Sequence, residues 1–274
     1  MSAGRAGAPR QLPHPVAPRV VDVRRIRQLT PRLLRVTLAG PQLAGFRTSA
    51  PTDHVKVFFP AQRGAEPVVR PAGAGDANRI YTVRSFVADP GQLDIDIVLH
   101  GTGAGTRWAG QARPGDRVGV LGPRGSRVVP ADLDWYLLAV DETGLPAAAR
   151  WLAELRPGAR GILLAEVADP GEELALSSPA EVTICWLHRD RAGEHTLERA
   201  LRNIEPPAGD GFVWVAGETG AITPIRRYLR DELRLGPARV AVDGYWRRGV
   251  ADYSPMEGDP SAGPGHRSRH SDRA

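Results

Sequence analysis

Arg79-Ile-Tyr-Thr-Val-Arg84 and, further on, His100-Gly-Thr-Gly-Ala-Gly-Thr-Arg-Trp-Ala109 decide how the rest of this chain reads. The first stretch alternates β-branched and aromatic residues with charged ones, the pattern of a strand. Period-two geometry puts Arg79 and Tyr81 on one face and Thr82 and Arg84 on the other. A guanidinium fork beside an aromatic plate suits a ligand with a phosphate at one end and a flat ring system at the other. The second stretch is a loop rich in glycine, where Gly101, Gly103 and Gly105 let backbone N–H groups approach an anion. A short helix starting near Thr106 points its positive end the same way. Taken alone, the first stretch is an ordinary half-exposed strand and the second an ordinary loop. Their order, with the alternating strand Leu93-Asp-Ile-Asp-Ile-Val-Leu99 between them, favours a site for a flavin dinucleotide.

Upstream, residues 1 to 17 are rich in Pro, Ala and Gly and are expected to form a flexible tail. Val20-Val-Asp-Val23, Leu33-Leu-Arg-Val-Thr-Leu38, His54 to Phe59 and Arg117-Val-Gly-Val-Leu121 read as short strands, and Ala61 to Asn78 as a surface loop. Residues 18 to 130 therefore predict a small antiparallel β-barrel. The period then changes. Buried strands at 135–140, 160–167, 182–187, 212–216 and 239–245 alternate with helices at 145–155, 195–203 and 219–233, the first opened by Pro146. This alternation predicts a parallel α/β domain over residues 131 to 250. Residues 251 to 274 are polar and are expected to form a second flexible tail.

Composition excludes several classes. At 274 residues with 42% hydrophobic content the chain can build two real cores. Its one cysteine, Cys185, rules out an internal disulfide framework and a cysteine-built metal centre; inside Val182-Thr-Ile-Cys-Trp-Leu187 it reads as a small core residue. The formal charge of +5 is almost entirely arginine spread along the chain, with Lys56 the single lysine. No basic helix or recognised module points to nucleic acid. The N-terminus lacks an apolar signal core, and no run reaches eighteen apolar residues, so a soluble cytoplasmic protein without membrane insertion is expected.

Six stretches carry a resemblance: Asp53-His-Val-Lys-Val-Phe58, Arg79 to Arg84, His100-Gly-Thr-Gly103, Val140-Asp-Glu-Thr-Gly-Leu-Pro146, Trp214-Val-Ala-Gly-Glu218 and Gly244-Tyr-Trp-Arg-Arg-Gly249. In this order they resemble the siderophore-interacting protein family of flavin reductases, a branch of the ferredoxin-reductase-like superfamily. Ala104 stands where that family commonly has proline, and Gly144 where it commonly has alanine. The resemblance implies an FAD-binding barrel followed by an NAD(P)H-binding domain. It assigns Arg79, Tyr81, Thr82, His100, Gly101, Gly103 and Thr106 to the flavin.

Ligands of parallel α/β sheets sit at the carboxyl ends of the strands. Asp141, Thr143 and Gly144 fall there, as do Gly217 and Glu218, and the resemblance assigns them to the nicotinamide donor. His188 and Arg189 suit an adenosine ribose or its 2′-phosphate, and each reads at least as readily as part of a solvated loop. Glu218 also reads as a helix-start charge. The implied acceptor is a ferric siderophore, with Arg247, Arg248 and Lys56 as the basic residues for an anionic chelate. Tyr245 and Trp246 read either as packing or as a cover for the flavin ring. No acid–base residue is demanded, because the flavin carries the hydride chemistry. A general flavin or quinone reductase, or a non-catalytic flavin or siderophore carrier, are the competing readings. A monomer is expected.

Overall fold

The computed structural model describes residues 7–70, 77–101, 103–189, 196–250 and 253. Its first half is a seven-stranded antiparallel sheet built from β2 (Pro18–Thr30), β3 (Leu33–Ala39), β4 (His54–Phe59), β5 (Ala77–Thr82), β6 (Ser85–Val87), β7 (Gln92–Val98) and β8 (Arg117–Leu121). The strand order is β5-β4-β8-β2-β3-β7-β6. Val83 and Arg84 carry the chain straight from one edge strand to the other, their N–H groups donating to Asp53 O and Asp94 O. Alternate residues, among them Val36, Leu38, Val55, Val57, Ile95, Ile97, Val118 and Val120, fill one core. Across β3 and β7 the opposite face is polar but covered. Arg35 holds Asp96 with two hydrogen bonds of 2.7 and 2.8 Å, and Thr37 and Ser85 both donate to Asp94.

The expected N-terminal tail is not wholly a tail. β1 (Arg10–Pro13) pairs antiparallel with β9 (Gly125–Val128), register Arg10 to Val128. Gly125 makes this possible, since a Cβ there would lie 2.8 Å from Leu12 O. The next residue, His14, is buried, with Nε2 2.6 Å from Ser126 Oγ.

The second half is a five-stranded parallel sheet of β10 (Trp135–Asp141), β11 (Arg160–Val167), β12 (Glu181–His188), β13 (Gly211–Glu218) and β14 (Val240–Trp246), in the order β12-β11-β10-β13-β14. β10 is buried along its whole length, as a central strand covered on both faces must be. Between the strands run α2 (Leu145–Glu154), α3 (Thr196–Arg202) and α4 (Thr219–Arg227); α1 (Ala104–Ala109) belongs to the glycine loop of the first half. α2 packs its alanines, Trp151 and Leu152 on one face of the sheet. Ile222, Ile225, Leu197 and Leu201 cover the other.

Two expectations change here. The helix read as 219–233 ends at Arg227 and widens into a π-helical turn over Tyr228–Glu232, with Leu233 N donating to Tyr228 O at 3.0 Å. Cys185 is half-buried rather than central, because β12 is an edge strand of the sheet. The expected tail 251–274 lies outside the described residues apart from Tyr253, whose Oη is 3.0 Å from Thr219 Oγ1.

Candidate functional site

Register decides which residues of the antiparallel sheet share a face. Arg79 and Tyr81 stand opposite Val57 and Val55, whereas Ile80 and Thr82 stand opposite Lys56 and His54. Arg79 and Tyr81 thus turn toward α1, and Lys56 and Thr82 turn the other way. Tyr81 meets Phe59 edge-on at 6.3 Å and touches α1 at Gly105, where a Cβ would lie 2.0 Å from Tyr81 Oη. The stem of Arg79 lies against the same glycine, with Cγ 3.7 Å from that position. Arg79 Nη1 donates to Asn78 O at 2.6 Å. Burial pushes the Tyr81 phenol well above its ordinary value.

The glycine loop is folded back on itself. Thr106 Oγ1 donates to His100 O at 2.9 Å, and Gly101 takes a left-handed φ of 55°. At Gly101 and Gly103 a Cβ would meet nothing within 4 Å, so this backbone is bare on its outer side. Among the described residues no side chain caps the start of α1 at Gly103, so no such cap satisfies its first N–H groups. His100 leaves the loop to stack on Trp246 of β14, ring centroids 6.1 Å apart and planes 29° from parallel.

At the carboxyl edge of the parallel sheet, Asp141 ties three loops together. Its Oδ1 accepts from Thr143 N and Oγ1 at 2.9 and 2.5 Å. Its Oδ2 accepts from Glu218 N and from Trp246 Nε1, both at 2.8 Å. Burial, with Glu142 adding to it, raises this carboxyl to about 6, against the pull of hydrogen bonds from Thr143 and Trp246. Gly217 is required by that closeness, since a Cβ there would sit 2.7 Å from Asp141 Oδ2. Glu218 caps α4 by accepting from Ala221 N at 2.6 Å, and also accepts from Arg248 N at 3.0 Å. Arg247 and Arg248 are exposed just beyond β14. Arg189 is held by Glu142 at 2.6 and 2.7 Å and by Glu166 at 3.3 Å. A cleft of about 340 Å³ opens between the halves, lined by Arg32, Leu33, His100, Gly101, Glu142 and Glu172 among others.

Sequence reasoning missed the contacts that set the two halves against each other. Arg127 of β9 forks onto Asp243 of β14, which also accepts from Trp214 Nε1 at 2.8 Å. Burial works to raise the Asp243 carboxyl, but the charge and hydrogen bonds of Arg127 hold it below its usual range. Arg150 of α2 donates to Thr48 Oγ1 at 2.8 Å and Val83 O at 3.1 Å. Thr82 hydrogen-bonds Tyr245, and Thr30 donates to Glu172. The signal available in the sequence is a lone charge in an apolar element: Arg150 within Ala147-Ala-Ala-Arg-Trp-Leu152, and Asp243 within Val240-Ala-Val-Asp243.

Residues 22–127 match the Siderophore-interacting FAD-binding domain, and residues 133–249 match the family described as Siderophore-interacting protein. The chain belongs to the siderophore-interacting protein family. Among curated relatives of this family, ferric vibriobactin reductase ViuB of Vibrio cholerae is 34% identical over 247 residues, covering 85% of this chain and 91% of its own. The NADPH-dependent ferric-chelate reductase of Escherichia coli is 32% identical, covering 83% and 92%. Among solved structures, a siderophore utilization protein from T. fusca superposes with a TM-score of 0.83 at 43% identity, covering 90% of this chain and 99% of that one. A ferredoxin reductase in carbazole 1,9a-dioxygenase, at 17% identity and a TM-score of 0.62, shares the fold. The antiparallel half fits the flavin dinucleotide of the siderophore-interacting family: bare glycine backbone, a helix start with no side-chain cap among the described residues, and an arginine and a tyrosine on the same side of the sheet.

Proposed function

We propose that this protein is an FAD-dependent reductase that passes electrons from NAD(P)H to an iron(III)–siderophore and so releases iron(II). The observation that carries the reading is the meeting of two half-sites. The carboxyl edge of the parallel sheet is tied through Asp141 and Trp246 to His100, in the same glycine loop that faces Arg79 and Tyr81 through α1. FAD, when bound, takes a hydride and returns single electrons. The chain binds and orients. Arg79 and the N–H groups at the start of α1 hold the pyrophosphate. Tyr81 and Thr82 set the flavin at the end of β5. Thr143 stands beside the nicotinamide at the start of α2, where Gly144 lets the helix pack closely on Val140, while Asp141, Gly217 and Glu218 shape the loops around it.

Lys56, Arg247 and Arg248 supply positive charge for an anionic ferric chelate. Reduction frees the metal because iron(II) binds hard oxygen ligands less tightly than iron(III). The similarity to ferric vibriobactin reductase and to the ferric-chelate reductase supports this acceptor class. Among the described residues no helix is long and apolar enough to cross a membrane. The protein is proposed to work as a monomer in the cytoplasm.

The test is anaerobic oxidation of NADH or NADPH by the purified yellow protein, with and without a ferric chelate. Donor-dependent bleaching of the flavin, followed by recovery of its colour as the chelate is reduced, is the expected result. Recovery with quinones but not with ferric chelates would make this a general reductase. A flavin that neither donor reduces would make it a carrier.

A further inference from the structure

Arg189, Glu142 and Glu166 sit side by side at the carboxyl ends of three adjacent strands, β12, β10 and β11. The guanidinium is already occupied. Glu142 takes both of its terminal nitrogens at 2.6 and 2.7 Å, and Glu166 approaches one of them at 3.3 Å. Glu166 is fixed from the other side, its second oxygen accepting from Leu197 N of α3 at 3.2 Å. Among the described residues, two carboxylates against one guanidinium leave this trio with one excess negative charge. Next to it, His188 is also turned to a carboxylate, Nε2 lying 2.8 Å from Glu173 Oε1.

We propose that Glu142 and Glu166, by holding Arg189 between them, select a donor without a 2′-phosphate, so that NADH is used in preference to NADPH. This rests on the reading of the parallel sheet as the donor-binding half. In doubly wound sheets a carboxylate at the end of the second strand accepts from ribose hydroxyls, whereas a free arginine nearby receives a 2′-phosphate. Glu166 stands at the end of the second parallel strand, β11. A 2′-phosphate there would have to displace Glu142 from a two-point ion pair and face Glu166 as well. Bidentate arginine–carboxylate pairs are among the stronger contacts a surface can offer, and like charges at such distances repel. A ribose bearing only hydroxyls meets neither obstacle and gains an acceptor. Arg189 then acts as the clamp that holds the two carboxylates in place and does not itself receive the phosphate.

The test compares binding of adenosine 5′-monophosphate with adenosine 2′,5′-bisphosphate, two probes that differ only in the 2′-phosphate, by titration calorimetry on the flavin-loaded protein. The wild type should bind the monophosphate more tightly. Glu142→Gln and the double change Glu142→Gln, Glu166→Gln keep shape but remove charge, and should move the ratio of the two affinities toward the bisphosphate by about tenfold or more. Arg189→Ala should widen the discrimination against the bisphosphate. The ratio of kcat/KM for NADH and NADPH should move in the same sense.

A wild type that binds the bisphosphate more tightly, and loses that preference in Arg189→Ala, would overturn the proposal and make Arg189 the phosphate ligand. Equal binding of the two probes would overturn it as well. If neither probe binds and neither donor bleaches the flavin, the donor-binding reading itself falls. Bleaching by NADH and NADPH alike leaves that reading standing and removes only the selection.

Discussion

His100 in the glycine loop and Trp246 at the end of β14 stack between the antiparallel half and the parallel half, 6.1 Å between ring centroids. Trp246 is aimed by its indole N–H, which donates to Asp141 at 2.8 Å. One side chain therefore connects the donor edge to the flavin loop, and the first prediction follows from it. Trp246→Phe keeps a ring for His100 but loses a hydrogen bond to a carboxylate, a contact worth about 1.5–3 kcal/mol. Stopped-flow reduction of the bound flavin should slow by roughly tenfold or more, with FAD retained. Trp246→Ala should slow it further. Unchanged rates in both variants would mean that the stack plays no part in bringing the domains together.

Asp141 carries a pH signature of its own. Its carboxyl is raised from 3.8 to about 6 by burial and by Glu142. A folded-state value above the unfolded one means that the folded protein binds more protons between the two. The contribution of Asp141 to stability is then fully present below the lower value and is lost as pH rises through the higher one. The shift amounts to about 3 kcal/mol. Asp141→Asn does not titrate, so its stability relative to wild type should improve by up to that amount between about pH 4 and pH 7. Urea unfolding at several pH values reads the difference, and a flat difference would place the carboxyl in water.

Gly105 and Tyr81 make a paired prediction. Gly105→Ala places a methyl 2.0 Å from Tyr81 Oη but 3.4 Å from Cζ. The single change should displace the tyrosine and weaken FAD binding by about tenfold, for a cost near 1.4 kcal/mol. Tyr81→Phe in the Gly105→Ala background removes the clashing oxygen and should recover most of the affinity. Equilibrium titration of the apoprotein with FAD measures both. A double variant no better than the single would show that Gly105 serves the ligand rather than the tyrosine.

The Arg127–Asp243 pair ties β9 of the antiparallel half to β14 of the parallel half. Both side chains are partly exposed, at 28 and 30%. Asp243→Asn leaves Arg127 with a neutral partner and should cost about 1–3 kcal/mol. Because Asp243 is held below its usual range, its contribution is present above the ordinary carboxylate value and is lost as pH falls through the depressed one. The wild type should therefore lose its advantage over Asp243→Asn only in acid. An advantage that disappears already near neutrality would contradict the assignment.

Much of this protein was determined by the sequence acting locally. Period-two alternation around Leu93, Ile95 and Ile97 and the apolar run from Trp135 to Val140 in β10 reflect which faces are covered, and both are legible because backbone sterics force side chains to alternate along a strand. The same rule placed Arg79 and Tyr81 together and Thr82 opposite, and the glycine spacing marked the loop. Tertiary structure alone decided which charges meet. Nothing near Arg189 announces Glu142 and Glu166, which arrive from two other strands. Nothing in the proline-rich N-terminus announces that β1 will lie on β9 until Gly125 is seen against Leu12 O. Asp96 reads as an exposed residue of an alternating strand, yet it is buried because Arg35 crosses from β3 to cover it. An arginine advertises a charge but not its partner. Strand order, set by the packing of two cores, determines which carboxylate stands within reach.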